Sequence, residues 1–182
     1  MQHRSSFRAP GVAAGFTIIE LMITVTVAAI LVGIAIPSFR GIIASNRIVT
    51  QTNELVGAIN FARSEAITRN SNIVLCRTGT DTSTTCSVAL GNWTNWIVRN
   101  VSAAEVVRRG TVNTYNGSLT VTSDLALDVL TFSSDGLART GGSLVSDKVI
   151  TICTTAASSD NVRRVTLGAG SRLSTTKSTG TC

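Results

Sequence analysis

One carboxylate, Glu20, interrupts an apolar run of mostly Ile, Leu, Val, Ala and Met that extends from Ile18 to Ile36. An acid inside such a helix is expensive in lipid and is kept where something pairs with it, so Glu20 is a functional candidate by position alone. Gly11, Ala13, Ala14 and Gly15 precede the run, and Pro37, Ser38, Phe39 and Arg40 follow it. A secretory signal has the opposite order, with the small residues and the cut after the apolar run. Cutting at the small residues here would keep the apolar helix and discard only the basic stretch that carries Arg4 and Arg8.

Catalysis finds few reagents elsewhere. The single histidine is His3, inside that basic stretch, so a chain cut at the small residues has no histidine to serve as general base or metal ligand. No Ser/His/Asp or Cys/His set can be assembled, and no P-loop (G-x-x-x-x-G-K followed by Ser or Thr) exists to hold phosphates. Asp124 and Asp128 read as turn caps. No catalytic residue, cofactor or metal is expected, and the chain is not expected to be an enzyme.

Binding has one candidate. Arg163 and Arg164 lead into a strand-like run, and Gly168-Ala169-Gly170-Ser171-Arg172 followed by Lys177 reads as a flexible basic tail. Lys and Arg on a Gly/Ser-rich loop can contact phosphates, with an affinity that falls steeply with salt. The plainer reading is a solvated basic loop tied down by a disulfide.

Cys76, Cys86, Cys153 and Cys182 all lie beyond the apolar run. An even count there points to an oxidising compartment and two disulfides. Three pairings are possible. The simplest joins Cys76 to Cys86 and Cys153 to Cys182, because each closes a local loop, at about 3 kcal/mol apiece. A zinc site of four thiolates is the alternative, but no pair has the C-x2-4-C spacing such sites favour. The formal charge of +6 falls to about +4 without Arg4 and Arg8, and charged residues make up only 14% of the chain. This balance does not in itself mark a nucleic-acid-binding protein. Abundant Ser, Thr, Asn and Gly fit a β-rich extracellular domain.

The elements that would position these residues follow from periodicity. Ile48, Thr52, Leu55, Ile59, Ala62 and Ala66 recur at steps of three and four, with Asn46, Asn53, Asn60 and Arg63 off that stripe, which predicts an amphipathic helix to about Asn70. Glu65 and Arg69 form an i, i+4 surface pair. From Asn72 the period shortens. Strands are expected at Ile73–Arg77, Trp93–Arg99, Glu105–Arg109, Leu119–Thr122, Asp128–Phe132, Lys148–Cys153 and Val162–Leu167. Asn116-Gly117 reads as a tight hairpin turn, Ser134-Asp135-Gly136 as a second turn, and Trp93 and Trp96 as core and sheet-edge anchors. The expected class is α+β: a long N-terminal helix, apolar in its first half and amphipathic in its second, packed on an antiparallel sheet or two small sheets with two disulfides.

A short basic leader ending in Gly15, then Phe16-Thr17-Ile18-Ile19-Glu20, resembles a type IV prepilin signal. The resemblance implies cleavage after Gly15 by a prepilin peptidase and methylation of the new amino terminus at Phe16. Glu20, the fifth residue from Phe16, would pair with the terminal amine of a neighbouring subunit during filament assembly; a carboxylate and an ammonium buried together cost far less than either alone. Pro37 matches the common helix kink. Further along, Phe61-Ala62-Arg63-Ser64-Glu65-Ala66, Ile73–Cys76 leading to Cys86, Trp93 and Trp96, then Leu130–Gly136, Ile150–Cys153 and the final Cys182 resemble the GspH/FimT family of minor pilins and pseudopilins.

This resemblance implies a pilin fold divided into a leader (1–15), a transmembrane or filament-core helix (16–39) and a periplasmic head (40–182), the head made of an amphipathic helix (40–70) and a β-rich part (71–182). It implies a single-pass inner-membrane protein that then joins a pilus or periplasmic pseudopilus. Partners would be other minor and major pilins, the prepilin peptidase, the inner-membrane assembly platform and, before assembly, inner-membrane lipid. The implied function is a structural subunit that primes or connects the pilus tip; a type II secretion pseudopilin and a DNA-binding minor pilin for natural transformation are the alternatives. DNA-uptake members of the FimT branch carry Gly-Arg-x-Arg near Arg172. Here Gly170 is followed by Ser171, Arg172 and Leu173, so the second arginine is missing, which fits a connector better. Intact-mass and N-terminal analysis of the protein from its host is expected to give a chain that starts at N-methyl-Phe16; a start elsewhere would overturn the cleavage reading.

Overall fold

The computed structural model describes residues 15–87, 89–156 and 159–182; within these, 35–38 and 40 are described by backbone alone. The leader expected over residues 1–15, with Arg4 and Arg8, lies outside the described residues except for Gly15. The chain divides into two compact units, 1–38 and 39–182.

In the first unit, helix α1 (Ile18–Thr68) begins. Its side chains from Ile18 to Ile34 are exposed on every face, so they need lipid or protein neighbours. The two threonines in this run bond inside the helix: Thr24 Oγ1 donates to Leu21 O at 2.9 Å and Thr26 Oγ1 to Met22 O at 2.7 Å. Neither hydroxyl needs an outside partner. Ile18 to Ile34 covers about 25 Å, short of a ~30 Å hydrocarbon core, and among the described residues no helix is long and apolar enough to cross a membrane. Pro37 falls inside α1.

In the second unit, α1 buries Ala44, Ile48, Gln51, Thr52, Leu55, Ala58, Ile59, Ala62 and Ala66. Thr52 sits in that stripe without cost because its hydroxyl donates to Ile48 O at 2.7 Å. The helix ends at Thr68 as a Schellman motif: Asn70 takes the left-handed conformation (φ 46°), Ser71 N donates to Ala66 O and Asn70 N to Ile67 O. Ten strands follow: β1 (Ile73–Thr78), β2 (Asn95–Asn100), β3 (Glu105–Thr111), β4 (Leu119–Ser123), β5 (Val129–Phe132), β6 (Ala138–Thr140), β7 (Ser143–Leu144), β8 (Lys148–Thr154), β9 (Val162–Gly168) and β10 (Arg172–Ser178). They form two antiparallel sheets, ordered β3-β2-β1-β5-β6-β7 and β10-β9-β8-β4. The inner faces of both, including Leu75, Trp96, Val98, Leu130, Phe132, Val121, Ile150 and Val165, share one core with the stripe of α1.

Three sequence expectations are corrected. The Asn116-Gly117 turn has the expected positive φ values (60° and 81°), yet it joins no hairpin: β3 lies in one sheet and β4 in the other. Turn chemistry specifies a local reversal, and what the flanking strands pair with is settled at long range. The strand expected from Trp93 starts at Asn95, because Trp93 bridges the sheets, with its backbone N donating to Val121 O at 2.8 Å. The supposed flexible tail is β10, paired residue for residue with β9 from Arg172 opposite Gly168 to Ser178 opposite Val162.

Edge strand β3 carries a bulge at Val107, opposite Val98 and Arg99 of β2, and the charges of Arg108 and Arg109, both of which disfavour further pairing. Its Gly110 lies opposite Trp96, whose indole occupies the space a side chain would take: a Cβ there would lie 2.2 Å from Trp96 Cζ2. Arg108 in turn stands over Trp96 and Phe61, 5.7 and 5.4 Å from the ring centres. Gly110→Ala is expected to lower the urea midpoint at unchanged m, by an overpacking cost of about 1–3 kcal/mol; an unchanged midpoint would show that the indole shifts freely.

Candidate functional site

Gly15, Phe16 and Thr17 form an irregular segment ahead of α1. Phe16 is 77% exposed, and a Cβ on Gly15 would meet nothing within 4 Å among the described residues. Glu20 is exposed in the first helical turn. Its backbone N donates to Thr17 Oγ1 at 3.2 Å, and Thr17-Ile18-Ile19-Glu20 has the spacing of a capping box. The positive end of the helix dipole favours an anion there by about 0.3–1 kcal/mol. Part of the cost of the carboxylate is therefore offset within its own chain. Thr17 was missed as a functional residue, although a threonine three places before a glutamate and ahead of an apolar run is a readable helix start.

The four cysteines close two local loops, Cys76 to Cys86 and Cys153 to Cys182, with Cα–Cα distances of 5.6 and 5.5 Å. Cys76 belongs to a small apolar cluster on the outer face of the six-stranded sheet, with Val74 and Ile97. Next to it, Arg77 Nε donates to Asp128 Oδ2 at 3.2 Å, and the same carboxylate accepts from Gly91 N at 3.2 Å and Ser123 Oγ at 2.6 Å. Asp128 is 1% exposed. The reading of Asp128 as a turn cap is thereby corrected: it is the buried partner of Arg77, and Arg77 also donates to Ser87 Oγ and Ala89 O, holding down the loop that Cys86 closes. The second disulfide works with Asn161, which is buried. Its amide Nδ2 donates to Gly180 O at 2.8 Å and its Oδ1 accepts from Gly180 N at 3.0 Å, clamping residues 179–182 as a strap.

The four cations proposed to meet DNA do not converge. Arg163 lies opposite Lys177, in line with the inward-facing Val165 and Leu167, whereas Arg164 and Arg172 belong to the alternate, outward-facing set of β9 and β10. Lys177 is paired with Asp160 at 2.8 Å, and this hydrogen bond holds the Asp160 carboxyl below its usual range. Arg172 follows a turn that is pinned, not loose. Ser171 Oγ accepts from Ala138 N at 2.6 Å and its carbonyl accepts from Arg63 Nη1 at 3.3 Å.

Residues 51–171 match the family model described as type II transport protein GspH. The chain belongs to the GspH family. Two crystal structures of the type IV minor pilin FimU from Pseudomonas aeruginosa (strain PAO1) share its fold. The P65 form superposes with a TM-score of 0.50 at 20% identity, over 70% of this chain and 90% of that one. The P21 form gives 0.51 at 18% identity, over 71% and 88%. A search of curated proteins finds no match. The family and the fold are those of structural pilins and pseudopilins, which build membrane-anchored pili or pseudopili.

Within this GspH-family chain the matched residues hold the Arg77–Asp128 pair, and the loop it fastens belongs to the head. Asp128→Ala would strand a guanidinium whose side chain is 12% exposed. A loss of about 3–5 kcal/mol is expected from breaking one side of a buried pair, read as a fall in the denaturation midpoint. A loss no larger than that of Asp135→Ala, which removes an exposed pair with Arg139, would refute the assignment.

Proposed function

We propose that this chain is a minor subunit of a type IV pilus, made as a prepilin and built into the filament at or near its tip. The observation that carries the reading is Glu20 at the capped start of α1, beside the exposed Gly15–Phe16 bond, in a chain of the GspH family. The prepilin peptidase would cut this bond and Phe16 would be N-methylated. The apolar half of α1, completed by residues 35–39 with Pro37 as its kink, would hold the subunit as a single pass in the inner membrane with the head in the periplasm. Entry into the filament, through the assembly platform, would then pair Glu20 with the amine of a neighbouring Phe16. That exchange replaces lipid around the apolar helix with other apolar helices, and the carboxylate gains the partner it lacks in lipid.

Within the filament, the subunit would prime assembly or connect other minor pilins to the major pilin. A pseudopilin of a type II secretion system is the second reading, favoured by the description of the matched family. Deleting the gene separates the two: loss of surface pili supports the first, and loss of protein secretion with normal pili supports the second. DNA uptake has weaker support, since Arg163, Arg164, Arg172 and Lys177 are divided between two faces of one sheet.

Glu20→Ala is expected to leave cleavage at Gly15 largely intact while impairing incorporation, measured as the variant's share in sheared filaments against its share in the membrane. Normal incorporation would count against the mechanism. Thr17→Val serves as the reference for a simple capping defect, because it loses the helix start, at about 1 kcal/mol, but keeps the charge.

A further inference from the structure

The outward face of the four-stranded sheet carries a groove whose wall includes the Cys153–Cys182 disulfide. Its central row reads Thr122, Thr151, Arg164 and Thr176, each directly opposite the next on β4, β8, β9 and β10. A groove of about 500 Å³ opens over Thr122, Thr151 and Arg164 of this row, lined also by Asn92, Thr120, Cys153 and Val162 and walled by the strap at Gly180 to Cys182. The wall is built. Disulfide Cys153–Cys182 and the two hydrogen bonds of Asn161 hold the strap, and Gly180 lies so close that a Cβ there would stand 3.2 Å from Val162 Cγ2. Buried Thr78, Thr140 and Thr154 spend their hydroxyls on carbonyls of the fold. Among the described residues, the hydroxyls of Thr120, Thr122 and Thr151 and the Asn92 amide have no such partner, and Arg164 commits one nitrogen, to Ser178 Oγ at 3.1 Å.

We propose that this groove binds an oligosaccharide that bears a carboxylate. Hydroxyls and a carboxamide both donate and accept, as a row of sugar hydroxyls requires. The one lining cation, Arg164, offers its remaining N–H donors to a single acid group. A nucleic acid would need several cations along its path, and Arg164 stands alone here. An extended peptide would take its affinity from backbone bonds at a sheet edge and from pockets for its side chains. This groove lies on the face of the sheet, and the apolar side chains of its lining are Val162 and the Cys153–Cys182 disulfide.

The test is NMR titration of the full mature chain in detergent with tetragalacturonate. Maltotetraose, a short single-stranded DNA and an unstructured acidic peptide are compared with it. Binding with a Kd of roughly 1 mM is expected, with shifts confined to Asn92, Thr120, Thr122, Thr151 and Arg164 and weaker binding of the neutral sugar. Arg164→Gln and Thr122→Val, both at exposed positions, should each weaken tetragalacturonate about two- to tenfold, the size of one hydrogen bond. Arg172→Gln, outside the groove, should leave it unchanged. Absence of shifts at about ten times that concentration, tighter binding of DNA or peptide, or equal loss in Arg172→Gln would each overturn the proposal.

Discussion

The head domain depends on burying one stripe of α1. Leu55 and Ile59 each contribute about 1.5–3 kcal/mol by leaving water, and the small Ala58, Ala62 and Ala66 are buried on the same stripe. Neither sheet could stand without that stripe. Each exposes its outer face to solvent or to a small cluster, so its inner face is the only large apolar surface it has. The helix is thus both the core of the head and the element that runs back toward Glu20.

What the shared core does not reach is held by polar or covalent fastenings. The loop after β1 is fastened by the Cys76–Cys86 disulfide and by Arg77, which pairs with Asp128. The strap at 179–182 is fixed by Cys153 and Asn161. The turn at 168–171 is fixed by Ser171, which joins the two sheets through Ala138 N. Each device acts on a segment rich in Gly, Ser or Thr, where side-chain burial alone could not outweigh the entropy of ordering the backbone. These fastenings also decide what the surface presents, because the strap makes the wall of the groove above Arg164.

The apolar first half of α1 follows a different logic. From Ile18 to Ile34 it exposes its side chains on every face and spends its threonine hydroxyls internally, and Glu20 is the single charged residue of that stretch. In the proposed assembly, a single charge on an otherwise apolar surface would give register to an association that dispersion alone would leave free to slide. The helix cap at Thr17 places that charge at a defined point.

Local chemistry was legible in the chain alone. The three-and-four spacing marked the buried face of α1, and β-rich runs bounded by turn residues marked β1, β8 and β9. The short loops between cysteines made the local pairing the simplest of three. Apart from the cysteine loops, with separations of 10 and 29 residues, these signals lie within a few residues of sequence, where propensity and periodicity act directly. The tertiary structure decided which strands pair: that Asn116-Gly117 leads from one sheet to the other, that the Gly/Ser-rich stretch ends in a paired strand, and that Asp128 meets Arg77 across the sheet. It also decided that adjacent Arg163 and Arg164 point to opposite faces, since a strand turns every second residue over and only the register with Ile150 and Ile152 says which face is the core. Those choices are made by contacts far apart in the chain, where the free energy of a shared core, not local preference, selects among arrangements the sequence leaves equally open.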